Sequence, residues 1–152
     1  MKFFSQSKKI ALLFIGFLLA MQLFTLVTNA ILSYLGISGD FNFESLPKDT
    51  ISLLLVVVIL SPFIETLTQA IPIWIFIKSR FKYAELIIYL LSATLFAVQH
   101  YYNIIYMFFT FSMGLILVKA YLKFRKLSKY PYLLTSILHG AHNLIIFIFI
   151  QT

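Results

Sequence analysis

The sequence predicts an all-α polytopic membrane protein, because of its composition, its long apolar runs and the position of its charges. Of its 152 residues, 61% are hydrophobic and 11% are charged. A soluble domain has about 25% charged residues. The mean hydropathy of +0.96 leaves too few polar residues to cover a soluble surface. We therefore expect a single membrane domain over residues 1–152, built as a transmembrane helical bundle of about five spans.

Five apolar runs approach the roughly 20 residues that a membrane helix needs. They cover residues 10–35, 51–77, 83–101, 103–122 and 131–151. Residues 1–50 then hold the first span and an extracytoplasmic loop, and residues 51–152 form the core. The beginning, "MKFFSQSKK" with the apolar run and "VTNA" after it, also resembles a cleavable signal peptide. The apolar run is long for a signal peptide, so we expect a retained membrane anchor.

The charges alternate in sign from one connection to the next. Positive segments precede the first span, join the second to the third, and precede the last: Lys2, Lys8, Lys9; Lys78, Arg80, Lys82; Lys119, Lys123, Arg125, Lys126, Lys129. The loop 36–50 is mainly acidic, with Asp40, Glu44 and Asp49 against Lys48, and the connection at Tyr102-Asn103 is uncharged. The positive-inside rule predicts a multi-pass protein of the cell membrane with a cytoplasmic N-terminus and an extracytoplasmic C-terminus.

Two further features of the composition exclude classes of function. The net charge of +7 lies in short loops between spans, which indicates topology and lipid-headgroup contact rather than binding to nucleic acid. The absence of cysteine excludes disulfides, thiolate catalysis and cysteine-ligated zinc. Membrane lipid and a peptide or membrane-protein substrate are the partners we expect.

A few polar residues lie inside the apolar runs, and Glu65 is the most costly of them. A carboxylate at the centre of a span costs on the order of 3 kcal/mol, so it usually has a function. Glu65 and Gln69 are four residues apart and share a helix face, as do His139 and Asn143. With His100 and His142, these groups come from three predicted helices. We expect the set to converge on one buried polar site.

Such a set has the groups needed to hydrolyse a peptide bond with water as the nucleophile. Glutamate and histidine can together deprotonate water. A second histidine and an asparagine amide can stabilise the oxyanion that develops. No serine or cysteine pairs evidently with a base, so an acyl-enzyme is less favoured. A single intramembrane histidine often only joins two helices, and this is the favoured interpretation of His142 taken alone.

At these residues the sequence resembles the CAAX-processing and bacteriocin-processing intramembrane glutamic endopeptidases, also called the abortive-infection family. "FAVQH" (96–100) fits that family's Phe-x-x-x-His motif, and "HGAHN" (139–143) fits its His-x-x-x-Asn motif. The first motif, Glu-Glu-x-x-x-Arg, is degenerate in "SPFIETLTQA": Glu65 is kept, Thr66 replaces the second Glu, and Ala70 replaces the Arg. The resemblance covers about residues 55 to 150.

The resemblance implies the CAAX-protease fold and a role for each matching residue. Glu65 would activate water with the help of His100, while His139 and Asn143 would bind the oxyanion. Phe96 belongs to the second motif, and Gln69 would partly replace the missing polar group of the first. Family members cleave near the C-terminus of prenylated proteins, or act in bacterial peptide processing, bacteriocin immunity and regulation.

Three alternatives remain open from the sequence. A degenerate first motif is also compatible with a non-catalytic immunity or regulatory protein that binds a peptide or a membrane partner. A zinc ion on Glu65, His100 and His139 is a less favoured alternative to a site without cofactor. A small transporter or a proton-relay subunit would need an intramembrane acid too, but it does not account for the His-x-x-x-Asn spacing.

The predicted spans also place the site residues at different depths. Glu65 lies near mid-membrane and His100 near the outer end of the third span. His139 lies about eight residues, or about 12 Å, from the cytoplasmic side. We therefore expect tilt, or a third helix that begins in the cytoplasm, to bring the three groups together.

Overall fold

The computed structural model describes residues 2–37, 49–101 and 103–151, and these ranges are almost entirely helical. The helices are α1 (Lys2–Tyr34), α2 (Thr50–Leu54), α3 (Ser61–Phe76), α4 (Ala84–Val98), α5 (Ile104–Leu127) and α6 (Pro131–Gln151), and a π-helical segment, Leu55–Leu60, joins α2 to α3. The predicted all-α class is confirmed. The acidic-loop residues Asp40 and Glu44, together with Lys48, lie outside the described residues.

Four helical stretches of the described residues are long and apolar enough to cross a membrane, namely Ser5–Tyr34, Thr50–Phe76, Ile104–Leu127 and Pro131–Phe149. The predicted third span, 83–101, is shorter in the structure. It is α4, whose 15 residues extend about 22 Å at helical rise. A bilayer's hydrocarbon core is about 30 Å thick, so α4 does not match it.

Two of the helices, α2 and α5, begin at a side chain that accepts hydrogen bonds from unpaired backbone N–H groups. Asp49 begins α2 by accepting a hydrogen bond from the Ser52 N–H at 2.8 Å, which holds the pKa of that carboxyl below its ordinary value. Asn103 begins α5 in the same way, because its side-chain oxygen accepts from the N–H groups of Ile105 and Tyr106. The uncharged connection at Asn103 is therefore a helix start.

Helix α1 packs lengthwise against α5 through aromatic side chains. Phe14 and Phe17 lie against Phe124 with ring centroids 6.4 and 6.2 Å apart, and Phe24 stacks on Phe109 at 5.4 Å. The pairing joins early residues of α1 to late residues of α5, so the two helices are antiparallel. The first span is thus an integral part of this bundle.

The positively charged connections gather at one end of the bundle. The side chain of Gln6 in α1 donates a hydrogen bond to the Leu127 carbonyl at the end of α5. A second apolar cluster joins Ile73 of α3, Ile88 of α4 and Tyr121 of α5, so the loop 77–83 lies at this end as well. We call it the basic end.

The end of α4 lies at about the middle of the bundle's depth, measured from the basic end. The Gln99 amide, just past α4, donates to the Thr68 hydroxyl at 2.8 Å. Thr68 is eight residues before the end of α3, which is about 12 Å at helical rise. His100 follows Gln99 directly. The expectation that His100 lies near the outer end of its span is therefore corrected: because α4 is short and starts at the basic end, His100 lies near the depth of Glu65.

Candidate functional site

Glu65 of α3 and His139 of α6 form a buried pair. The Glu65 Oε2 lies 3.7 Å from the His139 Nε2, and their side chains are 16% and 5% exposed. Gly140 allows this approach, because a Cβ at that position would collide with the Val58 carbonyl oxygen and lie against the Pro62 ring. The glycine therefore sets the distance between α6 and the chain segment that leads into α3.

Phe96 contacts both His139 of this pair and a second histidine, His100. Its ring centroid lies 5.3 Å from the His100 ring and 5.3 Å from the His139 ring. Phe96 is 2% exposed, so the ring fixes both imidazoles in a packed environment. The Phe-x-x-x-His spacing places Phe96 one helical turn before His100, where a single aromatic ring can contact both histidines.

The His100 ring has one nitrogen whose role is fixed by its partner. Its Nδ1 lies 3.0 Å from the Phe96 carbonyl oxygen, which can only accept a hydrogen bond. Nδ1 therefore carries the proton, and in the neutral imidazole Nε2 is the basic nitrogen. The Tyr106 ring also contacts the imidazole, with its centroid 5.2 Å from the His100 ring.

Glu65 of α3 thus lies beside His139 of α6, and His100, just past α4, shares with His139 a contact to Phe96. The detailed pairing differs from the roles that the resemblance implies. There, His100 assists the glutamate and His139 binds the oxyanion, whereas the structure shows the Glu65 carboxylate beside His139. Both histidines share the Phe96 contact, so the two imidazoles lie on one aromatic ring next to Glu65.

Asn143 donates a hydrogen bond to a backbone carbonyl that Pro62, the second residue of α3, leaves without a donor. Its Nδ2 donates to the Val57 carbonyl at 2.9 Å. In the π-helical segment a carbonyl bonds to the N–H five residues later, and for Val57 that residue is Pro62, which has no N–H. Asn143 therefore supplies the missing donor. An amide nitrogen carries two N–H groups, so this bond leaves a second donor for the role implied by the resemblance.

Replacing Asn143 by leucine tests this structural role. We expect the unfolding free energy to fall by about 1 kcal/mol, because the Val57 carbonyl loses its donor inside the bundle. Denaturant titration in detergent micelles measures the change. Asn143→Gln retains the amide but not its position, and Leu144→Ala is the neighbouring control on the exposed side. An unchanged unfolding free energy in Asn143→Leu would contradict the role.

The two supporting residues of the degenerate first motif have different surroundings. Thr66 is 1% exposed, and its hydroxyl has no hydrogen-bond partner among the described residues. Gln69 is 2% exposed and donates to the Gly114 carbonyl of α5 at 2.8 Å, so it joins two helices. Ala70 is fully buried in the apolar cluster with Ile73 and Ile88. An arginine at position 70 would be buried in this mainly apolar cluster.

The sequence did not reveal the part that Gln22 of α1 plays next to the site. Its Nε2 lies 3.1 Å from the His142 Nδ1 and 3.4 Å from the His142 carbonyl oxygen. An amide N–H can only donate, so His142 accepts at Nδ1 and, when neutral, carries its proton on Nε2. Gln22 is the only polar residue in "IALLFIGFLLAMQLF" (10–24), which is the signal that could have identified it.

We expect Gln22→Leu to weaken the attachment of α1 to α6 and to release the His142 tautomer. Nitrogen-15 chemical shifts of the His142 ring report its tautomer directly. If Gln22 had only a packing role, the substitution would not alter these shifts. The unfolding free energy should fall by about 1 kcal/mol. Asn29→Leu, at an exposed position of the same helix, is the control. Identical His142 shifts in Gln22→Leu and wild type would show that Gln22 does not set the tautomer.

The zinc alternative would use Glu65, His100 and His139 as metal ligands. Over the ranges 2–37, 49–101 and 103–151, no group of three or more His, Asp or Glu side chains is arranged to hold a metal ion. The site without cofactor stays a prediction.

Comparison with known proteins identifies one family. The family model described as type II CAAX prenyl endopeptidase Rce1-like matches residues 47–145, which run from the start of α2 to the middle of α6 and include all three motifs. No curated protein and no solved structure matches the chain. Helix α1, with Gln22, lies outside the matched residues.

Proposed function

Since the chain belongs to the Rce1-like family of type II CAAX prenyl endopeptidases, we propose that it hydrolyses a peptide bond within or near the membrane by means of water activated by Glu65. The observation that carries the proposal is the buried pair of Glu65 and His139, with His100 held beside it by Phe96. A carboxylate and two imidazoles from three elements form one site where a water molecule can be bound and deprotonated.

The proposed reaction gives a role to each of the four site residues. Glu65 removes a proton from water, whose oxygen attacks the carbonyl carbon of the scissile bond. The basic Nε2 of His100 helps to orient that water, as its tautomer allows. His139 and the second N–H of Asn143 stabilise the oxyanion. Glu65 then returns its proton to the leaving nitrogen, and the products are a carboxylate and an amine.

The degenerate first motif is compatible with this chemistry. The Glu-Arg pair of the family motif is replaced by Thr66 and Ala70, so a different group must orient Glu65. His139, whose Nε2 lies 3.7 Å from the Glu65 Oε2, is the side chain that the structure places beside the carboxylate, and we propose that it has this role.

The alternative is a non-catalytic member that binds a peptide or a membrane partner and acts in immunity or regulation. The replacements Thr66 and Ala70 favour it. It predicts that Glu65→Ala retains the biological effect, whereas the endopeptidase predicts that the effect is lost.

We further propose that the basic end faces the cytoplasm in the cell membrane. Lys8 and Lys9, the loop 77–83 and the end of α5 all lie at that end, which the positive-inside rule assigns to the cytoplasm. The N-terminus is then cytoplasmic and the C-terminus extracytoplasmic. Cysteines introduced singly at Ser79 and at Ile37 should react with a membrane-impermeant reagent from opposite sides.

The decisive experiment is cleavage of a prenylated peptide by the purified protein in liposomes, without added metal. Mass spectrometry of the products identifies the bond that is cleaved, and an unprenylated peptide of the same sequence tests the requirement for the lipid. Cleavage that depends on Glu65 would support the endopeptidase. Tight binding of the peptide without any product would favour the alternative.

A further inference from the structure

A cleft of about 440 Å³ lies at the basic end, away from the Glu65 pair. It is formed where the end of α3, the end of α5 and the start of α6 meet. Its lining combines aromatic side chains with two cations, and the residues that matter here are Trp74, Tyr121, Arg125, Lys129, Tyr130 and Tyr132. The lining includes no carboxylate.

The depth of the cleft coincides with a change in composition along all three elements. Trp74 is two residues before the end of α3. In α5 the apolar run gives way to Lys123 and Arg125 at this level, and α6 begins at Pro131 just past Lys129. Spans change from apolar to basic where the hydrocarbon ends and the headgroups begin. The cleft therefore opens at the level of the lipid headgroups.

The aromatic wall of the cleft is held in place. The Trp74 indole N–H donates to the Tyr121 hydroxyl at 2.8 Å, and Tyr121 is only 4% exposed. Tyr132 donates its hydroxyl to the Phe63 carbonyl at 2.9 Å, which ties α6 to α3. Tyr121 thus accepts from Trp74, and Tyr132 uses its O–H within the bundle. The wall is held by these bonds, and among the described lining residues the charged side chains are Arg125 and Lys129.

We propose that this cleft binds the phosphate headgroup of an anionic membrane lipid. Arg125 and Lys129 supply two positive charges to the phosphate, and arginine can bind it through two N–H groups at once. The exposed side chains of Trp74 and Leu133 give the first carbons of the acyl chains an apolar surface. Basic pockets between transmembrane helices on the cytoplasmic side are typical sites for anionic headgroups.

The test measures lipid retention and is independent of peptide cleavage. Purified protein in detergent is incubated with equimolar phosphatidylglycerol and phosphatidylcholine, and native mass spectrometry counts the bound lipid. We expect phosphatidylglycerol to be retained selectively. Arg125→Gln with Lys129→Gln should weaken its binding by about 30-fold, from two lost basic contacts. The matched control, Lys119→Gln with Lys123→Gln, removes the same charge from exposed positions outside the cleft and should retain binding.

Several outcomes would overturn the proposal. Equal loss of lipid in both double variants would indicate a diffuse charge effect. Equal retention of phosphatidylcholine would show that the phosphate charge is not recognised. Competition by millimolar inorganic phosphate as effective as that by the lipid would assign the cleft to free phosphate. Displacement of phosphatidylglycerol by a peptide with a free C-terminal carboxylate, but not by the same peptide amidated, would assign it to a peptide.

Discussion

The Glu65→Gln protein should remain folded and lose its endopeptidase activity. Glutamine has nearly the same shape as glutamate and can occupy the same place beside His139, but it cannot take a proton from water. Positioned acid–base groups typically contribute 10²–10⁴-fold to a rate, so we expect kcat to fall by at least about 100-fold. KM should change little, because the substrate is bound by other parts of the site. Initial rates of peptide cleavage in liposomes give both constants.

The matched control is Glu85→Gln. It makes the same chemical change at an exposed position in the first turn of α4, and it should leave kcat unaltered. The folded state of Glu65→Gln is checked by its unfolding free energy, which should not fall, because the substitution removes a charge from a buried position. A Glu65→Gln protein with wild-type kcat would rule out Glu65 as the base that activates water.

A second large effect is expected on stability, at Gly140. A Cβ in this position would collide with the Val58 carbonyl oxygen. Backbone cannot move aside as a flexible side chain can, so α6 must shift away from the π-helical segment. Overpacking of this kind costs about 1–3 kcal/mol, which outweighs the roughly 1 kcal/mol that alanine gains over glycine in a helix. Gly140→Ala should therefore lower the unfolding free energy, and the displaced His139 should lower activity as well.

Two other glycines calibrate this measurement. A Cβ at Gly16 meets nothing within 4 Å, so Gly16→Ala should be neutral or slightly stabilising. At Gly114 a Cβ would lie 3.1 Å from the Ala93 Cα and 3.2 Å from the Phe96 Cδ1, which predicts an intermediate effect. Denaturant titration in micelles should show the smallest loss of unfolding free energy for Gly16→Ala, a larger loss for Gly114→Ala and the largest loss for Gly140→Ala. Equal stability of Gly16→Ala and Gly140→Ala would show that the close approach of α6 is not needed.

The sequence was sufficient for the helical class because hydrophobic runs are a direct consequence of the membrane environment. Four predicted spans correspond to helices of spanning length. The polar positions in the apolar runs also predicted a shared site for Glu65, His100 and His139, and the structure places Glu65 beside His139 and both histidine rings against Phe96. Each of these inferences uses local spacing, which fixes the face of a helix on which a side chain lies.

What the sequence left open depends on contacts between helices. The depth of His100 followed from the length of α4, which apolar composition alone overstates by several residues. The pairing of Glu65 with His139 depends on how closely α6 approaches at Gly140, and hydropathy carries no such information. The bond from Asn143 to Val57 requires a π-helical segment before Pro62, a local departure from α-helical geometry. Gln22 was identified only from its contact with His142.

The short α4 also has a consequence for the surrounding bilayer. At about 22 Å, α4 falls roughly 8 Å short of a typical hydrocarbon core. The bilayer beside it must therefore become thinner, or water must enter the membrane from the side on which α4 ends. Such hydrophobic mismatch costs only fractions of a kcal/mol per ångström, so the bilayer can deform at a low free-energy cost. A hydrolase that works inside lipid depends on a supply of water. The mismatch beside α4 shortens the path by which water reaches His100 and Glu65.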